Sequence, residues 1–401
     1  ENKAGCLKQY NPPQLLDIDQ EDNFNKLLYR NFVDFGEGYN TSVNWGVNEQ
    51  GLHFVSSDFL PTQETPNVDF VPSRIHKIKN AIESLIPDEQ VLSMRYLSSL
   101  TSKSVSDEEV LGKLSGFIDA YGGSEGWIQE RRKTIADDKA LDDSSIDLLN
   151  RQLNACEKDY KRLKRNIDLL RNDSEAMAAF RVMNTAMFMQ LHHSISKDQI
   201  TPFVPDTNSH DYYATITLEK EYKWRSFQLT FILLNIDAFV RPPQGDNTVE
   251  DVFGSGWPER NEIADLVWFP TGGGKTEAYL GIIAFTITYR RFTKGELAYG
   301  TTVLMRYTLR LLTLQQFQRA TLLICALEAI RKDYSEIPNN LSLGAERITI
   351  GLFVGGDSLP NYWDQGDKSM IRELNKISKS VNADSKISTN LPFTECPWCG
   401  G

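Results

Sequence analysis

The sequence predicts an α/β fold in its second half, a parallel sheet covered by helices, behind a mostly helical N-terminal region. Three observations carry that prediction. Beyond residue 263, short apolar runs suited to strands alternate with helical periods. A glycine-rich turn, Pro270-Thr271-Gly272-Gly273-Gly274-Lys275-Thr276, lies between the first such run and the first such helix. Between Ile146 and Leu170, apolar residues recur at alternating spacings of three and four, which marks one long helix.

Residues 1–75 mix aromatic residues, Gly, Asn and Pro without a sustained period, and are expected to be irregular with short strands. A helical accessory domain is expected over 76–215. Ser106 stands three residues before Glu109 and just ahead of Val110 and Leu111, the signature of a helix start. Asp107-Glu108-Glu109 therefore reads as the first turn of a helix, not as a metal-binding acidic motif. The long heptad helix is placed at 144–172, with Ile146, Leu149, Leu153, Cys156, Tyr160, Leu163, Ile167 and Leu170 on its seam. The seam is short for a coiled coil, so packing on near neighbours such as Ile75 to Leu85 is favoured over a partner strand. His192 and His193 are adjacent and cannot share a helix face, which argues against a joint metal role. Arg241 to Glu262, rich in Pro, Gly, Asp and Asn, reads as a surface loop. The domain assigned to 216–395 contains three expected strands, Ala264 to Phe269, Thr302 to Met305 and Arg347 to Val354. Helices over Lys275 to Arg291 and Leu311 to Lys332 separate them.

Composition bounds the function. The 401 residues suffice for two or three cored domains, and 40% hydrophobic with 24% charged residues excludes wholesale disorder. The longest apolar stretch, Phe227 to Val240, is too short for a membrane span and is interrupted by Asn235 and Asp237. No signal peptide is legible behind Glu1, and a cytoplasmic location is expected. Five cysteines are too few and scattered for a disulfide framework. A net charge of −11 argues against coating nucleic acid by bulk electrostatics. Yet Arg260 to Ser335 holds ten Lys and Arg against six Asp and Glu, so a local basic channel is open.

The glycine-rich turn has the context a phosphate cradle needs. Glycines let successive backbone N–H groups converge on phosphate oxygens, and the following helix adds its N-terminal dipole. Lys275 is placed to reach the β- and γ-phosphates of ATP, and the Thr276 hydroxyl to take one position on Mg²⁺. Phe269 stands where the general pattern has Gly or Ala, one departure from it. Cys396-Pro397-Trp398-Cys399-Gly400 is half of a zinc knuckle, so a zinc-binding insertion is expected to begin at 396–401, with Zn²⁺ on Cys396 and Cys399 and a second ligand pair elsewhere.

The Pro-Thr-Gly-x-Gly-Lys-Thr form resembles motif I of the superfamily 2 helicases, which implies a RecA-like P-loop sheet as the first motor domain. Trp224-Arg225-Ser226-Phe227-Gln228 resembles the Q motif of those enzymes, whose glutamine reads the adenine edge. Arg306-Tyr307-Thr308-Leu309-Arg310, followed by Gln315-Gln316, looks like motif Ia, and Gly355-Gly356 is similar to motif Ib. The wording from Trp268 to Gly281, then Leu304 to Thr313, and the late Cys-Pro-x-Cys-Gly resembles the DrmA family, the helicase subunits of the bacterial anti-phage system DISARM. That resemblance implies nucleotide contacts at Arg225, Gln228, Thr271, Gly272, Gly273, Gly274, Lys275, Thr276 and Glu277. It implies DNA-backbone contacts at Arg306, Thr308, Arg310, Gly355 and Gly356. It also implies ATP, Mg²⁺, DNA and a DrmB-like partner subunit, and no membrane. The acidic pair of motif II is absent after the P-loop, so the sequence is expected to be an N-terminal part of a larger polypeptide, its first motor domain incomplete. Two other readings stay open, a P-loop NTPase acting on protein and a nucleotide-gated scaffold without unwinding activity.

Overall fold

The structure, a computed structural model, describes residues 27, 35–36, 40–49, 51–58, 89–139, 141–195, 221–240, 263–269, 273–307, 310–332, 337–354, 360, 362–366, 369–382, 391 and 396–398. The chain divides into two compact units, Glu1–Val71 with Trp127–Glu157, and Pro72–Gly126 with Lys158–Gly401.

In the first unit, strands β1 (Ser42–Asn48) and β2 (Gly51–Asp58) form an antiparallel hairpin. Its turn ends at Gly51, whose φ of 107° is open to glycine at no steric cost. The same unit holds helix α3 (Trp127–Asp137) and the first half of helix α4 (Asp143–Asn172). Arg132 of α3 donates to Asn154 and pairs with Glu157 of α4 at 2.9 Å.

The second unit is a helical assembly. It comprises α1 (Met94–Leu97), α2 (Asp107–Gly122), the remainder of α4, α5 (Ser174–Ile195), α6 (Ser226–Leu234), α7 (Lys275–Lys294), α8 (Arg310–Lys332) and α9 (Met370–Asn382). Helix ends follow local chemistry. Ser106 caps α2 by accepting from the Glu109 N–H, and Asp173 caps α5 by accepting from the N–H groups of Glu175 and Ala176. Asp107, Glu108 and Glu109 then sit in the first turn of α2, where the helix dipole favours carboxylates. Seam residues Leu163, Ile167 and Leu170 are buried in the core of this unit. Ile75 to Leu85, the expected neighbour, lies outside the described residues.

Helix α5 is the centre of the core. From Ala176 to Gln190 every side chain is buried, and α1, α7 and α8 pack around it. Trp224 tucks its ring beneath α6 and donates Nε1–H to Asn184 of α5 at 2.7 Å. A Cβ on Gly281 of α7 would meet Ile232 at 2.6 Å and Trp224 at 3.1 Å, so glycine lets α7 close on α6.

The three segments expected as strands form no ladder among the described residues, and the two-stranded hairpin is the one sheet described there. Their side chains nonetheless alternate. Ile263, Asp265, Val267 and Phe269 turn inward while Leu266 and Trp268 are exposed, and Ile348 is buried while Phe353 is exposed. Residues 299–305 and 346–353 line one cavity of about 800 Å³ against α7 and α8. One-sided burial with period two is the pattern of a half-covered strand.

An ion cluster ties α4 to the segment that leads into the glycine turn. Arg162 reaches Asp237 through Nε at 2.9 Å and Asp265 through Nη1 at 2.6 Å, and Arg165 stands 3.8 Å from Asp237. Burial by itself would lower the Arg162 guanidinium, but the hydrogen bonds to Asp265 and Asp237 outweigh it and hold its pKa above the ordinary value. Arg162→Met should lower the unfolding free energy by about 3–5 kcal/mol in chemical denaturation, because two largely buried carboxylates lose their main partner. A loss below about 1 kcal/mol would show that Arg165 alone satisfies them.

Candidate nucleotide site

The site is built on the N-terminus of α7. Gly274 has φ 82°, and a Cβ there would lie 2.8 Å from the Gln228 amide nitrogen. Only glycine enters that conformation without strain. The Gln228 side chain, buried at the start of α6, donates Nε2–H to the Gly274 carbonyl at 2.7 Å. Its Oε1 accepts from the Arg225 backbone N–H at 2.8 Å, the reciprocal half of a capping box. Arg225 extends Nη1 to the Gly273 carbonyl at 2.6 Å. Two segments separated by 46 and 48 positions thus meet at the glycine turn. Gln228 here holds backbone with both ends of its amide, so a base edge would compete with Arg225 and Gly274 for the same atoms.

Phe269 stacks on Phe227 with ring centroids 3.7 Å apart and planes 15° off parallel. The aromatic residue at the first position of the turn therefore packs against the helix start that also supplies Gln228. Lys275 folds back and donates Nζ–H to the Phe269 carbonyl.

One turn into α7, a hydroxyl network begins. Tyr279 Oη lies 3.0 Å from Thr276 Oγ1, 3.2 Å from Gln316 Oε1 of α8, and accepts from Tyr307 Oη at 2.7 Å. Burial, and then the bond to Tyr279, push the Tyr307 phenol above its ordinary value. Glu277, expected at the nucleotide, pairs instead with Arg319 of α8, whose own pKa burial lowers. Tyr279 and Gln316 fall within or beside the motif wording without a role of their own, and nothing in the sequence marks Arg319. Their positions facing one another across α7 and α8 emerge only from the packing of those helices.

Thr271, Gly272, Thr308, Gly355, Gly356 and Cys399 lie outside the described residues, as does the side chain of Arg310. Arg306 is exposed beside Tyr307. Cys396 is partly buried against the core, and the next turn anchors on α5. The His193 ring stacks on Trp398 at 3.4 Å and its Nδ1 lies 2.8 Å from the Trp398 carbonyl, where a protonated Nδ1 donates. The histidine that sequence spacing set aside is thus the seat of the Cys-Pro-Trp turn. Among the described residues, no group of three His, Cys, Asp or Glu side chains could hold a metal. Nor is any described helix long and apolar enough to cross a membrane.

The residues present fit a polyphosphate with its cation. A left-handed glycine precedes the helix start, and Lys275 and the Thr276 hydroxyl occupy the first turn, where a helix dipole favours an anion.

No protein-family model matches the chain. It is 31% identical over 404 residues to the DISARM protein DrmA of Bacillus paralicheniformis, an alignment that covers 95% of this chain and 30% of that protein. The chain therefore spans about a third of the length of that curated relative.

Burial holds the His193 imidazole at about 4, against the raising effect of the Trp398 carbonyl. The unfolded value is 6.5, so the folded pKa is depressed. Stability from this group is complete above pH 6.5 and declines as pH falls toward 4, because only the unfolded chain takes up the proton. His193→Phe keeps an aromatic face without a titrating group. Melting temperatures at pH 7.5 and 4.5 should therefore differ less in that variant than in the parent.

Proposed function

We propose that this chain is the nucleotide-binding part of an ATP-driven DNA motor with a RecA-like first motor domain, acting in a DISARM-type defence complex. One observation carries the reading. Arg225 and Gln228, in the segment that resembles a Q motif, land on the carbonyls of Gly273 and Gly274 in the segment that resembles motif I. Two segments distant in sequence, each resembling a motif of one machine, thus come together at the turn. The similarity to the DISARM protein DrmA supports the setting, and through it a DrmB-like partner and a bacterial cytoplasmic location. Period-two burial in the three segments supports the sheet.

ATP with Mg²⁺ supplies the phosphoryl group and the cation that neutralises its oxygens. This chain's residues would do the holding. Gly273 and Gly274 shape the turn, with Arg225 and Gln228 fixing its carbonyls away from the anion. Lys275 would exchange the Phe269 carbonyl for a phosphate oxygen, a bond strengthened by charge on both partners. Thr276 presents its hydroxyl to the cation. Arg306, exposed next to Tyr307, would hold a DNA phosphate with Thr308 and Arg310, and Gly355 and Gly356 would let a second phosphate approach. Cys396 and Cys399 would share Zn²⁺ with ligands outside the described residues.

Phosphate release by the complete protein, with and without DNA, tests the reading. Lys275→Ala should cut DNA-stimulated turnover by at least about 10²-fold, since the lysine stabilises charge that develops on the transferred group. Turnover within about tenfold of the parent would remove the turn from catalysis. DNA-independent turnover would favour an NTPase acting on protein, and nucleotide binding without turnover a scaffold. In salt titrations, Arg306→Ala should weaken DNA binding equally on unrelated sequences and reduce the slope of log K against log salt by about one. Loss confined to one sequence would contradict a backbone contact.

A further inference from the structure

Tyr279 sits between the residue placed on the cation and the segment placed on DNA, and its chemistry makes it more than a spacer. A phenol carries one proton and two acceptor lone pairs. Tyr307 fills one lone pair from 2.7 Å. The single Tyr279 proton then faces two acceptors, Thr276 Oγ1 at 3.0 Å and Gln316 Oε1 at 3.2 Å, and can serve only one at a time. When Thr276 Oγ1 accepts the Tyr279 proton, Gln316 Oε1 does not receive it. With Thr276 donating into the second lone pair of Tyr279, the proton of Tyr279 passes to Gln316 and all the hydroxyls are satisfied.

A cation on Thr276 Oγ1 decides between these arrangements. An oxygen that gives a lone pair to a cation is a poorer acceptor, and its own O–H is a better donor. The chain of bonds then runs from Thr276 to Tyr279 to Gln316, with Tyr307 held at the same oxygen. Glu277 and Arg319 also join α7 to α8, so the two helices are held by a second polar contact.

We propose that Tyr279 is the positioning residue through which nucleotide occupancy sets the DNA-holding segment. The relay acts by directing Tyr307, next to Arg306, and Gln316, near the start of α8. This rests on the P-loop reading above, in which Thr276 ligates Mg²⁺ and Arg306 holds a DNA phosphate. Tyr279 touches neither ligand. Its role is to make the affinity for one depend on the other, and that coupling is reciprocal by thermodynamic necessity.

The test measures binding on the complete protein, using Mg²⁺ with a nonhydrolysable ATP analogue and a mixed-sequence DNA oligonucleotide. DNA affinity is read with and without the analogue, and analogue affinity with and without DNA. In the parent both ratios should equal one coupling factor, on the order of tenfold. Tyr279→Phe and Tyr307→Phe should each reduce it to below about twofold while both ligands still bind, and the double variant should be no worse than Tyr279→Phe alone. Should Tyr279→Phe fail to fold, Tyr307→Phe decides, since the Tyr307 ring lies at the surface. A parent that binds no analogue would overturn the P-loop reading itself. A parent that binds both ligands without coupling, or a coupling factor unchanged in the phenylalanine variants, would overturn the relay and leave the P-loop reading standing.

Discussion

Arg181 is fully buried on α5, and a charge in that position must be paired completely or not be there at all. Its Nε reaches Asp107 at 2.9 Å, Nη1 the Ser98 carbonyl at 3.1 Å and Nη2 the Val105 carbonyl at 2.8 Å. The same demand runs along the helix. Asn184 accepts from Trp224, and Thr185 meets the hydroxyl and backbone N–H of Ser99. Arg181, Asn184 and Thr185 thus each recruit a different neighbour, and the helix becomes a template that orders the elements around it. Once Trp224 is placed by Asn184, α6 follows, and with it Arg225 and Gln228. The glycine turn is therefore positioned by a helix it never touches in sequence.

Long elements were legible in the sequence because their determinants are local. The heptad seam predicts 144–172 and the helix runs Asp143–Asn172, since periodic apolar residues and a run of good helix formers act over a few turns. The Ser106 cap was legible for the same reason. Helix α7 begins at Lys275 as the glycine turn requires. What could not be read is what long range decides. Gln228 as a tie to the Gly274 carbonyl, Tyr307 on Tyr279, and His193 beneath Trp398 join positions 46, 28 and 205 residues apart. Motif resemblance brings Gln228 and Gly274 to one nucleotide but not into contact with each other, and no period or motif encodes the other two meetings, which depend on how the helices pack.

The candidate site also shows how polar contacts divide labour around one turn. Backbone carbonyls of Gly273 and Gly274 are taken by Arg225 and Gln228, so the N–H groups of Gly274 and Lys275, across the same trans peptide bonds, face the other way. The two ends of the turn are closed by aromatic and aliphatic packing, Phe227 on Phe269 and Trp224 on Gly281. Acidic and basic groups of the flanking helices, Glu277 and Arg319, neutralise one another. Lys275, at the helix start, folds its ammonium onto the Phe269 carbonyl.

The stack of Phe227 on Phe269 has a consequence for how this protein changes over evolutionary time. Phe227 and Phe269 are both half-buried, so glycine or alanine at 269 would strip the packing from one face of Phe227, and a small residue at 227 would do the same to Phe269. Either change alone loses the whole stack, and the second then costs little more. The two positions should therefore vary as a pair among natural variants, an aromatic couple exchanging for a small residue at 269 with a repacked partner at 227. A descendant could cross between the two forms only through an intermediate with a loosened turn, which would confine the aromatic form to its own lineage.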